Sequence, residues 1–211
     1  MKNVLKRELI LQVINYKGYN MITFLIPLLL LLFLGKGDFF SYFIGMVVMT
    51  TIATIMWEEK QKSYLINLSC PISRREYVNG KFITLIIMSF IGMIVGALGN
   101  KLITLILPSI VNNDIPISYE MIITCILIVV AAIYYTCYYS GGKKLSYIVY
   151  GINFLAVMQI IVLSQAELNT IKKYIPWLFK NDIALMILGI MFILVFILNR
   201  ITVHFYEKKS F

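Results

Sequence analysis

The chain has 211 residues, of which 60% are hydrophobic and only 14% charged, and its mean hydropathy is +0.86. Those values exclude a soluble globular domain of this size, because apolar runs near 20 residues recur and each is long enough to cross a hydrocarbon core of about 30 Å. The formal charge of +9 reads as membrane topology and not as affinity for nucleic acid, since lysine and arginine collect in cytoplasmic loops.

The first 18 residues, MKNVLKRELILQVINYKG, place Leu5, Leu9, Val13 and Tyr16 on one helical face, with Lys2, Lys6, Arg7 and Gln12 elsewhere. This pattern predicts an interfacial amphipathic helix over 1–18. The first apolar run starts only at Met21, and no small-residue cleavage site follows Leu34, so the segment is expected to stay in the mature protein. Six spans are predicted, at 20–36, 39–57, 82–107, 121–139, 145–164 and 183–203. With the N-terminus inside, only Lys36, Lys101, Lys172, Lys173 and Lys180 of the 19 basic residues fall outside. The bias puts both termini and the 58–81 loop in the cytoplasm. The expected fold is a single all-α integral membrane domain over 1–211.

The loop EEKQKSYLINLSCPISRREYVNGK, residues 58–81, separates the second and third spans. Trp57 suits the membrane interface, and Glu58 and Glu59 start a cytoplasmic turn. Leu65 and Leu68 give the next residues some apolar character, and Pro71 biases Cys70 away from helical angles, which ends that segment. Ser73 and Glu76 then stand at capping-box spacing, so a new helix is predicted from Arg74 straight into the third span. The reading is a helix, a break and a capped helix, with Arg74 and Arg75 at the turn. An ordinary positive-inside loop fits the same spacing.

On the other side, the 108–120 loop, PSIVNNDIPISYE, carries acids and no base, as suits an external face. Ser164 and Glu167 have capping-box spacing, with Lys172 and Lys173 at the C-terminal end and Pro176 beyond, so a short external helix is expected within 164–182. Cys70, Cys125 and Cys137 are odd in number and lack paired spacing, which argues against a disulfide framework or a metal site. Among weakly polar groups inside the spans, Thr50, Thr51, Thr54, Asn100, Asn153 and Gln159 either line a pathway or hydrogen-bond between helices. Tyr134, Tyr135, Tyr138 and Tyr139 at the end of the fourth span form either an interfacial belt or a grip for amphipathic cargo.

The 58–81 stretch resembles the segment after the second span in ABC-2-type permeases, the small six-span membrane subunits of bacterial ABC exporters. The matching residues are Glu59, Lys60, Leu65, Leu68, Pro71, Ile72, Ser73, Arg74, Arg75, Glu76, Gly80 and Lys81. Lys62 and Ser63 stand where that family usually has a glycine, and Cys70 where a leucine is common. The specific match covers about 25 residues, and the interfacial helix, six spans and external helix resemble the family over the full chain. The resemblance implies a coupling helix docked on a separate ATPase subunit, two copies of which bind ATP and Mg and drive two permeases, identical or similar. Glu58 and Glu59 are then expected to pair with basic residues of the ATPase, Leu65 and Leu68 to supply apolar contact, and Arg74 and Arg75 to meet an acidic rim, with Pro71, Ser73 and Glu76 shaping the turn.

Neither NGKF nor GGKK has the earlier glycine or the following Ser/Thr of a phosphate-binding loop, so the ATP site is expected on another polypeptide and no cofactor on this one. A pathway so poor in charge suits hydrophobic or amphipathic cargo, such as a peptide toxin, bacteriocin or antibiotic. The small permeases that export phenol-soluble modulins are the most similar in size and simplicity. Two other readings compete. EEKQK begins like the Glu-Glu-x-x-x-Arg motif of intramembrane CAAX-type proteases, but position 62 is Lys, position 63 is Ser, and His204 is the one histidine. An ATP-independent transporter or channel would show paired intramembrane charges or matching broken helices, and neither is evident.

Overall fold

The computed structural model describes residues 39–60, 73–106, 116–141 and 173–208, together with residues 5, 6, 9, 10, 29, 145, 147–152 and 155. No strand occurs among them. Four long helices carry the architecture: α1 (Phe39–Lys60), α2 (Arg74–Ile106), α3 (Ile117–Gly141) and α4 (Asn181–Lys208), the last preceded by a 3₁₀ turn at Pro176–Phe179. They cover the second, third, fourth and sixth predicted spans. The first and fifth lie largely outside the described residues, although Leu29, Leu145, Tyr147–Ile152 and Leu155 are helical. Within 1–18, Leu5 and Leu9 are helical and half-buried and Lys6 and Ile10 are helical and exposed; the remainder of that segment lies outside the described residues.

Charge sets how each helix sits in a bilayer. On α2 no charged residue occurs from Phe82 to Asn100, and Lys81 and Lys101 bracket that run. At 1.5 Å per residue the two lysines stand about 30 Å apart along the axis, one hydrocarbon thickness. The 33-residue helix therefore projects past the apolar layer at both ends. α2, α3 up to Ser140 and α4 are each long and apolar enough to cross a membrane, while the apolar stretch of α1, Phe39–Ile55, is shorter. Lys101 is exposed, in keeping with a lysine whose stem lies along apolar surface while its ammonium reaches the interface.

α2 and α3 form the middle of the bundle, each touching all the others, with α1 on one flank and α4 on the other. Of the three helices of membrane-crossing length α3 is the most enclosed, with 56% of its apolar window buried, against 17% for α4. The outer face of α4 leaves Leu185, Met186, Ile193 and Phe196 exposed, a surface suited to lipid or to other apolar chain and not to water.

α1 runs antiparallel to α2 along a stripe of small residues. Ser89, Gly92, Gly96 and Asn100 are all buried on one side of α2, at the three-to-four-residue spacing that aligns side chains on a helix. A Cβ at Gly92 would lie 3.0 Å from Val47 Cγ1 and 3.1 Å from Ile44 Cδ1, and one at Gly96 3.2 Å from Phe40 Cδ2. A Cβ at Gly99 would overlap the Phe39 ring, which is itself stacked on Phe43 at 5.7 Å. Between apolar helices in lipid, close approach of this kind supplies dispersion contact in place of the hydrophobic drive that water would provide.

Replacing Gly96 with Leu forces a branched side chain against Phe40 and Phe43 and is expected to cost about 1–3 kcal/mol by overpacking. Gly189→Ala, whose Cβ would meet nothing within 4 Å, should hold or raise stability. Thermal unfolding in detergent, followed by loss of the monodisperse species, checks both.

Candidate functional site: the tyrosine-rich end of the bundle

The helix directions bring the last turns of α1, α3 and α4 and the first turns of α2 to one end. The capping signal is realised there. Tyr77 N–H donates to the Ser73 carbonyl at 3.0 Å, closing the first turn. Glu76 N–H donates to Ser73 Oγ at 3.2 Å, and the hydroxyl donates to Glu76 Oε2 at 3.3 Å. The cap thus satisfies one of the amides that every helix start leaves unpaired. α2 then begins at Arg74 and continues without interruption into the membrane-spanning run.

Behind this cap lies a buried ion pair. Lys81 Nζ donates to Glu58 Oε1 at 2.6 Å, and Tyr77 OH donates to Glu58 Oε2 at 2.8 Å. The side chains of Lys81 and Glu58 are 2% and 10% exposed, so both charges have left water. Desolvating two ions costs several kcal/mol each, and the pair is tolerable only because geometry and further hydrogen bonds offset that cost. Here each carboxylate oxygen has its own donor, and the ammonium also stands 5.5 Å from the centroid of the Tyr77 ring.

Aromatic rings enclose the pair. Tyr77 meets Tyr139 edge-on at 6.2 Å and lies 6.3 Å from Tyr206, while Tyr139 and Tyr206 are 5.1 Å apart. Tyr138 contacts both Tyr139, at 5.1 Å, and Tyr134, at 6.2 Å. The contacts of Tyr139 with Tyr77, Tyr138 and Tyr206 are edge-to-face, and such contacts fix orientation as well as excluding water.

Further polar contacts tie the same end together. Arg74 starts α2, where a cation opposes its own helix dipole, but its Nη1 donates to the Glu207 carbonyl at 3.1 Å and the Tyr206 carbonyl at 3.5 Å. Those carbonyls end the antiparallel α4, where a cation is favourable and acceptors are otherwise unsatisfied. Asn199 Nδ2 donates to Asn79 Oδ1 at 2.9 Å, a second α2–α4 contact. Thr202 donates to the Thr136 hydroxyl at 2.9 Å, linking α4 to α3. Tyr135 OH donates to the Thr51 carbonyl at 3.3 Å, linking α3 to α1.

The residues singled out by sequence separate into distinct groups. Ser73 and Arg75 are exposed and Glu76 half-exposed at the start of α2. Glu58 and Arg74 have partners inside the chain. Leu65, Leu68 and Pro71 lie outside the described residues, as does the side chain of Glu59. Among the pathway candidates, Thr50 and Thr51 donate to the Val47 carbonyl and Thr54 to that of Thr51. Such back-bonding places hydroxyls within an apolar helix. Tyr135 is buried and Tyr138 half-buried; Asn153 and Gln159 lie outside the described residues. Tyr77, Asn79 and Asn199 were missed, and Lys81 was read as a match to the family segment and a topology marker but not as a partner of Glu58. Glu58 and Lys81 border the charge-free runs of neighbouring antiparallel helices, and that equal depth was the available signal.

Glu58→Gln leaves Lys81 as a buried cation without its counter-ion and is expected to cost about 3–5 kcal/mol. Glu58→Gln with Lys81→Met removes both charges and should recover most of the loss. Thermal midpoints of the two variants in one detergent give the comparison.

Comparison with known proteins agrees with this architecture. A family model described as ABC-2 family transporter protein matches residues 3–207. No curated protein and no solved structure matches the chain. A match over nearly the whole length, on a helical bundle with membrane-crossing helices, places this chain in the ABC-2 family of transporter membrane proteins.

Proposed function

We propose that this chain is the permease subunit of an ATP-driven exporter, that its tyrosine-rich end faces the cytoplasm, and that the 58–81 segment docks there on a separate ATPase. Family membership carries the reading, and the geometry supports it. The segment that would meet an ATPase leaves α1 and enters α2 at the end where four helices are joined by hydrogen bonds, so a displacement applied there has a stiff structure to act on. Glu59, Leu65, Leu68, Pro71, Ser73, Arg75 and Glu76 form the contact surface, while Glu58 and Arg74 support it from inside. ATP and Mg bind to the ATPase, two copies of which work with two permeases, either identical or similar.

The cargo is hydrophobic or amphipathic. Its path is walled by aliphatic and aromatic side chains, with Tyr138, Asn153 and Gln159 as the polar groups that meet it. Thr50, Thr54 and Tyr135 lie behind, bonded to helix carbonyls. The membrane is a bacterial cytoplasmic membrane, with both termini inside and the 164–182 segment outside.

The test is purification of the tagged chain from its own host in mild detergent, with identification of co-purifying proteins. A nucleotide-binding subunit retained by wild type and lost on Arg75→Glu is the expected result. Absence of any such subunit from wild type would point to ATP-independent transport. Full retention by Arg75→Glu would remove that residue from the contact surface.

A further inference from the structure

Glu58 stands in the last turn of α1, at the start of the 58–81 segment, and Tyr77 and Lys81 stand in the first two turns of α2, at its end. The two limbs of the segment are therefore held together at their base by the 2.6 Å ion pair and the 2.8 Å tyrosine hydrogen bond. Both charged groups are buried, so neither offers a surface to a second protein. The exit limb is held a second time, by Arg74 on the terminal carbonyls of α4.

We infer that Glu58 and Lys81 are positioning residues: they fix the separation and angle of the two limbs of the docking segment, and they act on the ATPase only through that segment. The inference rests on the exporter reading and assigns it a specific mechanical part. Clamping the two ends of a stretch of chain reduces the conformations open to it, and a clamped stretch gives up less freedom on binding. The clasp thus raises affinity and coupling without contributing a contact atom. The sequence-based expectation was different, with Glu58 paired directly to a base on the ATPase.

Exchanging the charges separates the two roles. Glu58→Lys with Lys81→Glu restores an internal ion pair with its sign reversed; a carboxylate that met a base on the ATPase would instead be replaced by a repelling ammonium. The readout is vanadate-sensitive ATP hydrolysis per mole of tagged chain, in the complex purified from its host, with thermal midpoints measured in parallel. We expect Glu58→Gln to lose about tenfold of that activity, within the usual span of coupling energies, and the exchanged variant to return to within about twofold of wild type. An exchanged variant with the wild-type midpoint and activity no better than Glu58→Gln would overturn the inference, as would Glu58→Gln with wild-type activity.

Should the exchanged variant fail to fold, Tyr77→Phe decides. It removes one hydrogen bond to Glu58 and keeps the ion pair, so a twofold to fivefold loss of hydrolysis is expected, the equivalent of about 0.4–1 kcal/mol. Unchanged hydrolysis at a lowered midpoint would mark the clasp as purely structural and overturn the positioning role. Wild type without vanadate-sensitive hydrolysis contradicts the exporter reading itself, before any variant is compared, and the inference falls with it.

Discussion

The contact between Lys81 and Glu58 is the constraint on which this end of the molecule depends. Two charges that border the apolar runs of adjacent helices must either reach water or find each other, and here they meet in the protein at 2.6 Å. Once they do, α1 and α2 are fixed in register, and the chain between them leaves from a defined base. Tyr77 completes the carboxylate and also reaches the rings of α3 and α4 through Tyr139 and Tyr206. One ion pair thereby orients contacts on all four helices.

The α1–α2 seam complements the clasp along the length of the bundle. From Ser89 to Asn100 the contact with α1 depends on small residues, because Phe39, Phe40, Ile44 and Val47 occupy the space a larger side chain would take. Register set by charge at one end is thus continued by shape towards the other. Arg74 and the Asn79–Asn199 pair then bind the start of α2 to α4. A load on the 58–81 segment, of the kind the proposed ATPase docking would apply, meets α2 first and has direct polar routes to α1 and α4.

Much of the helical framework was legible in the sequence, for simple reasons. Charge-free runs of bilayer length specify spans regardless of tertiary context, and α1, α2, α3 and α4 fall on four of those predicted. The start of α2 was also readable, since Ser73 and Glu76 interact locally and need no distant partner. Partnership across helices was harder to read. Glu58 looked like a surface acid because it heads a polar loop, and Lys81 looked like a topology marker, since loop composition says nothing about which side chains turn inward. Arg74 and Arg75 are alike in sequence, yet one caps a helix at a carbonyl 133 residues away and the other is exposed. Tyr135 and Tyr138 share a broad face of α3, but three residues fall about 60° short of a full turn, and that offset takes the side chain from the core to its margin.

The central claim is that the tyrosine-rich end is the one that faces the ATP-containing compartment. Single cysteines at Arg75 and at Leu105, which lie near opposite ends of α2, test it most directly in a chain whose own Cys70, Cys125 and Cys137 have been replaced. Labelling with a membrane-impermeant maleimide would be compared between intact cells and inside-out vesicles. The account predicts that Arg75→Cys labels only in the vesicles and Leu105→Cys only in intact cells. The reverse pattern would contradict it, because no ATPase in the cytoplasm would then reach the docking segment.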